Sequence, residues 1–347
     1  MNRPNQITLA DIARELNISK VSVSKALRDH PDISDRTKRL VKEKALDMGY
    51  MPNFNARNLS SNKSNTIGLV VPKIAHFFFS EVIEAIYEIA NHNNYDIILT
   101  VSREDSELER NNIIKLLSMR VDGLLISVSQ NIKDTSIFDV IKKKNIPLVF
   151  FDRMIEGLDF SSVTVNDIRG AFDATEMAIK AGYSKISHFS GYQNTNIGRD
   201  RLTGFKNAME KHGIQIHDEW IVEGGYDEKH GYEGLQQLHR LGNLPEIVFA
   251  VTYPVALGIY DAARDLALRI PEDIDVICFG DSQVNKYLKP ALTCVDQPVK
   301  EIGHKAIELL IERIENSNIK TSKHIVLDAP IKFRETCKPI KMAHKRV

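Results

Sequence analysis

The sequence predicts an α/β protein in two parts, an N-terminal all-α helix-turn-helix headpiece and a larger two-lobed body of doubly wound parallel sheets. Three observations predict it. Apolar residues recur at helical spacing in three short, capped segments that end at Gly49. From Thr66 onward, short apolar runs alternate with amphipathic stretches, and after Ser162 that alternation begins again.

The first helix is capped by Thr8 and places Leu9, Ile12, Ala13 and Leu16 on one face. Asn17 sits at the turn, where a residue tolerant of left-handed backbone is needed. Ser19 caps the second helix, which buries Val23 and Leu27 with Ile18 just before it and leaves Lys20, Val21, Ser22, Ser24, Lys25 and Arg28 outward. Small hydroxyls and cations on an outer face suit a major groove: Lys reaches guanine acceptors, while Ser and Val meet phosphate oxygens and thymine methyls. A third helix runs from the cap Ser34 to about Met48, with Gly49 as its stop. A small structural bundle with solvated faces is the alternative for any one of these helices, but their order with a tight turn favours a DNA reader.

In the body, Ile67–Val71, Asp96–Thr100, Gly123–Ser127 and Pro147–Phe151 read as strands, with helices at Ser80–Asn91 and Ser106–Met119 and a further one before Pro147. The second series places helices at Ala171–Ala181, Arg201–His212 and Leu257–Leu268, and strands at Ile186–Phe189, Ile247–Ala250 and Val276–Phe279. Two such lobes make a hinged clamshell, and the cleft between them is where strand ends and helix N-termini converge on a small ligand.

Composition narrows the classes. The 347 residues, 43% of them hydrophobic, can bury a sizeable core and exceed one small domain. Residues 1–64 hold 12 Lys/Arg against 7 Asp/Glu, a net of +5, so with a whole-chain balance of zero the remainder carries −5 and the positive charge sits at the DNA end. There is no apolar run of the ~18 residues a membrane span needs, and the start Met1–Gln6 is unlike a signal peptide, so a cytoplasmic protein without a membrane partner is expected. Cys278, Cys294 and Cys337 have an odd count and no metal spacing, which fits free thiols in a reducing compartment. No nucleophile elbow, phosphate loop, dinucleotide fingerprint or zinc motif is present, and His188, His217, His230 and His239 are scattered; no cofactor, metal or catalysis is expected.

The runs Leu9–Ala13, Ile18–Leu27 and Gly49–Asn53 resemble the DNA-binding headpiece of the lactose/galactose repressor (LacI/GalR) family, and the resemblance continues down nearly the whole chain. It implies a headpiece at 1–52, a hinge helix and linker at 53–64, and a periplasmic-binding-protein-like body at 65–347. It also implies crossings between lobes near Ser162, Gln297 and Leu327, giving a first lobe of about 65–162 and 297–327 and a second of about 163–296 and 328–340. In the hinge, Leu59 matches the family's minor-groove wedge, and Asn53 and Arg57 are placed for backbone or groove contacts. A plain flexible linker is the alternative. The DNA-binding candidates are therefore Thr8, Ser19, Lys20, Val21, Ser22, Lys25, Arg28, Asn53, Arg57 and Leu59.

For the cleft, the family positions are Phe78 and Phe79 as an aromatic wall, Arg201 as the effector-binding arginine, and Tyr226 and Phe249 as stacking partners. The phenylalanines are alternatively ordinary core, and Arg201 a surface pair with Asp200. Two departures stand out: the family's clamping carboxylate after Phe279 is replaced by Gly280, with Asp281 one position on, and Thr252-Tyr253-Pro254 lacks the usual Asn/Asp-Asp signature. A sugar, a sugar derivative, a nucleobase or no small ligand all remain open. The expected function is a ligand-responsive repressor that binds a pseudo-palindromic operator in double-stranded DNA as a homodimer. Two alternatives are a small-molecule binding module without operator-specific regulation and, ranked below it, an enzyme fused to a DNA-binding domain.

Overall fold

The computed structural model describes residues 7–50, 63–75, 77–130, 132, 134–316, 318–319 and 321–338. The chain forms two compact units, 1–64 and 65–347.

The first unit contains α1 (Leu9–Glu15), α2 (Lys20–Leu27) and α3 (Asp35–Asp47). Thr8 precedes α1, and the Asp11 carboxylate accepts from both its backbone N–H, at 2.9 Å, and its hydroxyl, at 2.7 Å. Asn17 takes the left-handed turn at φ 51°, and the Ser19 hydroxyl accepts from the Ser22 N–H at 3.0 Å to start α2. Ile12, Val23, Ala26 and Val41 are fully buried where the three helices meet, each at the inward positions of its own helix.

The second unit has two six-stranded sheets. The first comprises β1 (Thr66–Val71), β2 (Asp96–Val101), β3 (Gly123–Ile126), β4 (Leu148–Phe151), β5 (Ser161–Val165) and β11 (His324–Leu327), all parallel, in the order β11-β5-β4-β3-β1-β2. The second comprises β6 (Ile186–Gly191), β7 (Ile221–Gly224), β8 (Ile247–Ala250), β9 (Asp275–Phe279), β10 (Thr293–Val295) and β12 (Ile331–Lys332), in the order β12-β10-β9-β8-β6-β7, parallel except for the antiparallel β12. Strands such as β1 and β4 are buried along their whole length because helices cover both sheet faces, which is why they read as unbroken apolar runs.

In chain order the helices are α4 (Phe77–His92), α5 (Ser106–Ser118), α6 (Ser136–Lys143), α7 (Asp167–Lys180), α8 (Asn196–Lys211), α9 (Glu228–Arg240), α10 (Tyr253–Asp265) and α11 (Val299–Glu315). Helix α11 returns to the first sheet's layer and lies against α4, where Gly303 permits the approach: a Cβ there would stand 2.8 Å from both the Ala85 Cβ and the Val82 carbonyl oxygen. Since β5 runs to Val165 and Asn166 caps α7, the chain first leaves the first sheet at Asn166.

Candidate functional site

Two surfaces carry the candidate residues, one on each unit. On the headpiece, Thr8, Ser19, Lys20, Val21 and Arg28 are exposed, and Ser22 and Lys25 are half-buried. Val21 is 65% exposed although apolar, so packing does not account for it. Two of the cations are held by their own helix region. Lys25 Nζ lies 2.7 Å from Asp32, whose carboxyl is lowered chiefly by that hydrogen bond, and the Arg28 guanidinium donates to the Ser24 carbonyl and hydroxyl at 3.1 and 3.0 Å. Asn53, Arg57 and Leu59, with the hinge they belong to, lie outside the described residues.

In the body, the ends of parallel strands and the starts of the following helices meet in a cleft between the sheets, as open α/β folds dictate. One side is built by Phe78 and Phe79 in the first turn of α4, by Asp152 and Arg153 just past β4, and by Gln297. The other is built by Arg201 on α8, by Tyr226, Thr252 and Tyr253, and by Phe279, Gly280 and Asp281 after β9. Phe249 is not among them: it is fully buried in the core, with its ring stacked 4.7 Å from His188. That histidine is enclosed, and burial pushes its pKa down to about 3, so it stays neutral.

Arg201 is 1% exposed and does not pair with Asp200, which bonds Arg199 instead. Its Nε donates to Asp167 at 2.7 Å and its Nη1 to the Val251 carbonyl at 2.7 Å, while the guanidinium carbon lies 3.7 Å from the Phe279 ring centroid. Burial pushes Asp167 up to about 6 despite that arginine. Asp281 touches the cleft, but its carboxylate is taken up by Arg334, at 2.5 Å, and by Asn285, at 3.0 Å, as a one-residue shift past Gly280 redirects it. Tyr226 forms part of the wall because Gly191 and Gly198 leave room for it; a Cβ on Gly191 would stand 2.1 Å from its ring.

The sequence did not mark Asp152, Arg153, Tyr253 or Gln297 as contacts of the cleft, although Tyr253 and Gln297 were noted in other roles. Asp152 adopts φ 59°, a left-handed conformation that Asp tolerates, and this turns the chain so that Arg153 is buried over the Tyr226 ring, 4.5 Å from its centroid. Burial raises the Asp152 pKa, with Arg153 and Arg201 opposing. Three buried groups on the cleft wall lack a hydrogen-bond partner, namely Arg153 Nε, Gln297 Nε2 and Tyr253 Oη. Polar residues directly after a strongly apolar run, Phe150-Phe151-Asp152-Arg153, were the available signal, since ligands gather at carboxyl ends of strands.

The cleft is closed. Across it, Asn196 donates to the Asp152 carbonyl at 3.0 Å and accepts from the Met154 N–H at 3.2 Å, and Lys73 pairs with Asp227 at 3.4 Å. The innermost space is about 30 Å³, room for a water or two and too small for a molecule the size of a sugar. A wider cavity of about 500 Å³ opens beyond it and shares Phe79, Arg153 and Tyr226.

Beside the cleft, Glu109 of α5 is 3% exposed and accepts from the Ser129 N–H at 2.7 Å, and burial pushes its pKa from 4.5 up to about 7. The folded chain therefore holds a proton that the unfolded chain has released between these pH values. Stability falls as pH rises through that window, by about 3 kcal/mol once pH passes 7. Glu109→Gln keeps the acceptor and removes the titration. In urea unfolding it should match the wild type near pH 4 and exceed it at pH 8, and an equal difference at both pH values would refute the assignment.

Among the described residues, the three cysteines are free and buried, no group of three or more His, Cys, Asp and Glu could hold a metal ion, and no helix is long and apolar enough to cross a membrane.

Residues 8–53 match the description of the lacI family of bacterial regulatory proteins, and residues 175–337 match a periplasmic binding protein-like domain. The chain is 31% identical over 333 residues to the catabolite control protein A of Priestia megaterium, covering 96% of this chain and 99% of that protein. To the ribose operon repressor of Haemophilus influenzae it is 30% identical over 334 residues, covering 96% and 99%. Its fold superposes on the lac repressor dimer bound to operator and an anti-inducer with a TM-score of 0.82, at 22% identity, over 96% of this chain and 100% of that one.

Proposed function

The chain belongs to the lacI family of bacterial regulatory proteins, transcription regulators rather than enzymes, and from that premise we propose that it is a repressor whose cleft takes a hydroxylated ring, a sugar or sugar derivative. The carrying observation is the convergence of three buried groups that make no hydrogen bond, Arg153 Nε, Gln297 Nε2 and Tyr253 Oη, beside the buried Asp152 carboxylate, 4.0 Å from Arg153 Nε, and the rings of Phe79 and Tyr226. A buried donor without an acceptor is costly. Hydroxyls both donate and accept, so a polyol answers the donors and Asp152 together, while its ring carbons lie on aromatic faces. The ribose operon repressor among its relatives supports the same class.

The headpiece, 1–52, presents α2 to a pseudo-palindromic operator, segment 53–64 forms the hinge with Asn53, Arg57 and Leu59, and the body pairs two copies of the chain. Effector binding shifts the equilibrium between lobe arrangements and with it operator affinity.

The test combines selection of genomic fragments by the purified protein with a thermal-shift panel of pentoses, hexoses, hexuronates and nucleobases. The expected result is one palindromic site and a melting shift with a pentose or hexose. No enriched site at low salt would overturn the regulator reading, and a shift with a nucleobase alone would overturn the polyol reading.

A further inference from the structure

We propose that Glu104, which lines the wider cavity next to Arg153 and Gln130, positions the first lobe's side of the cleft for closure. The proposal rests on the reading of the cleft as an effector site, but its geometry stands separately. Glu104 follows β2 in a turn where it and Arg103 both take left-handed conformations, φ 61° and 54°, which residues with a side chain rarely adopt. The turn delivers a carboxylate that is only 12% exposed.

Both oxygens of that carboxylate accept from Arg153 Nη1, at 2.9 and 3.0 Å, and one also accepts from the Gln130 N–H at 2.9 Å. Each of these two partners reaches the other lobe. The Arg153 guanidinium lies over the Tyr226 ring, and the Gln130 carbonyl accepts from Asn194 Nδ2 at 2.5 Å. Two cross-lobe contacts from separate loops are thus set by one carboxylate. The Arg153 nitrogen it uses is Nη1, whereas Nε makes no hydrogen bond and lies 4.0 Å from the Asp152 carboxylate, so closure and ligand recognition draw on different atoms of the same side chain. A plain counterion for a buried arginine would need only the first of these contacts.

The experiment measures lobe separation in the ligand-free, full-length protein by electron-electron spin distance, with nitroxides on Lys115→Cys of α5 and His239→Cys of α9, both exposed; the native cysteines are buried. Glu104→Ala should reduce the closed fraction at least threefold. Glu104→Gln, which keeps an acceptor for Gln130 but loses the charged pair, should fall between it and the wild type. Asn194→Ala should also open the cleft, and adding it to Glu104→Ala should bring little further opening, because both act on one path. If Glu104→Ala lowers the urea midpoint but leaves the distance distribution unchanged, Glu104 is only a counterion and the proposal is overturned. So too if the two substitutions add fully. Neither readout needs operator or effector, so failure of the repressor reading would be seen in the fragment selection and not here.

Discussion

Arg201→Met is expected to destabilise the body by about 3–5 kcal/mol and to abolish the effector response. The cost follows from what is left behind. Asp167 is 4% exposed and its pKa is already pushed up to about 6 with the arginine in place; without Arg201 it is a buried carboxyl that must stay protonated. The Val251 carbonyl also loses its donor, and the Phe279 ring its cation. Since whole-domain stability is roughly 5–15 kcal/mol, this is a large fraction of it. Pairing the change with Asp167→Asn should restore most of the stability, because a buried ion pair replaced on both sides is close to neutral. The double variant should still show no melting shift with the small molecule that shifts the wild type. Urea unfolding of both variants checks the first half: a single variant as stable as the wild type would mean the pair contributes nothing. Wild-type ligand affinity in the double variant would remove Arg201 from the effector contacts.

Val21→Glu is expected to cost at least a hundredfold in operator affinity while leaving the headpiece folded. Val21 is 65% exposed on α2, so no core contact is lost. The new carboxylate would face phosphates at the end of the molecule that carries the net positive charge, and would replace a methyl-bearing surface suited to thymine. Fluorescence anisotropy with the selected site at two salt concentrations measures it, with Val21→Ala as the reference at a much smaller loss. Affinity unchanged in Val21→Glu would mean that α2 does not enter the groove.

Much of this was legible from the sequence. The headpiece was readable because its signals are local: the cap at Ser19, the left-handed Asn17 and the stop at Gly49 each act within a turn of helix. The central strands β1, β3 and β4 were readable because burial on both faces makes them continuously apolar, whereas the similarly buried β5 and β10 carry Ser and Thr and were not. Nor were the edge strands β7 and β11, since none of their residues is fully buried and β11 alternates between exposed and half-buried. Helix starts were placed late as well: α8 begins at Asn196 under the Thr195 cap and α10 at Tyr253 under Thr252, both ahead of the apolar periodicity that marks a helix in sequence.

Of the residues expected in the cleft, Phe78, Phe79, Arg201, Tyr226 and Asp281 line its wall, and Phe249 lies in the core. An inward-facing residue on β8 looks the same in sequence whether it meets the ligand or the layer behind the sheet. Asp152 and Arg153 were missed because their significance depends on Glu104, 49 positions before Arg153, and on a turn whose left-handed residue is not a glycine.

The interleaving of the two sheets also bears on how the chain is made. The edge strand β11 of the first sheet spans 324–327 and the edge strand β12 of the second spans 331–332, so both sheets receive their last strand within nine residues of each other. A chain leaving the ribosome at about 5–20 residues per second has therefore presented nearly all its strands before either sheet can be finished. For that interval the flank of β5 that will take β11 has no strand to pair with, and its backbone groups form an open sheet edge of the kind folded proteins take care to cover.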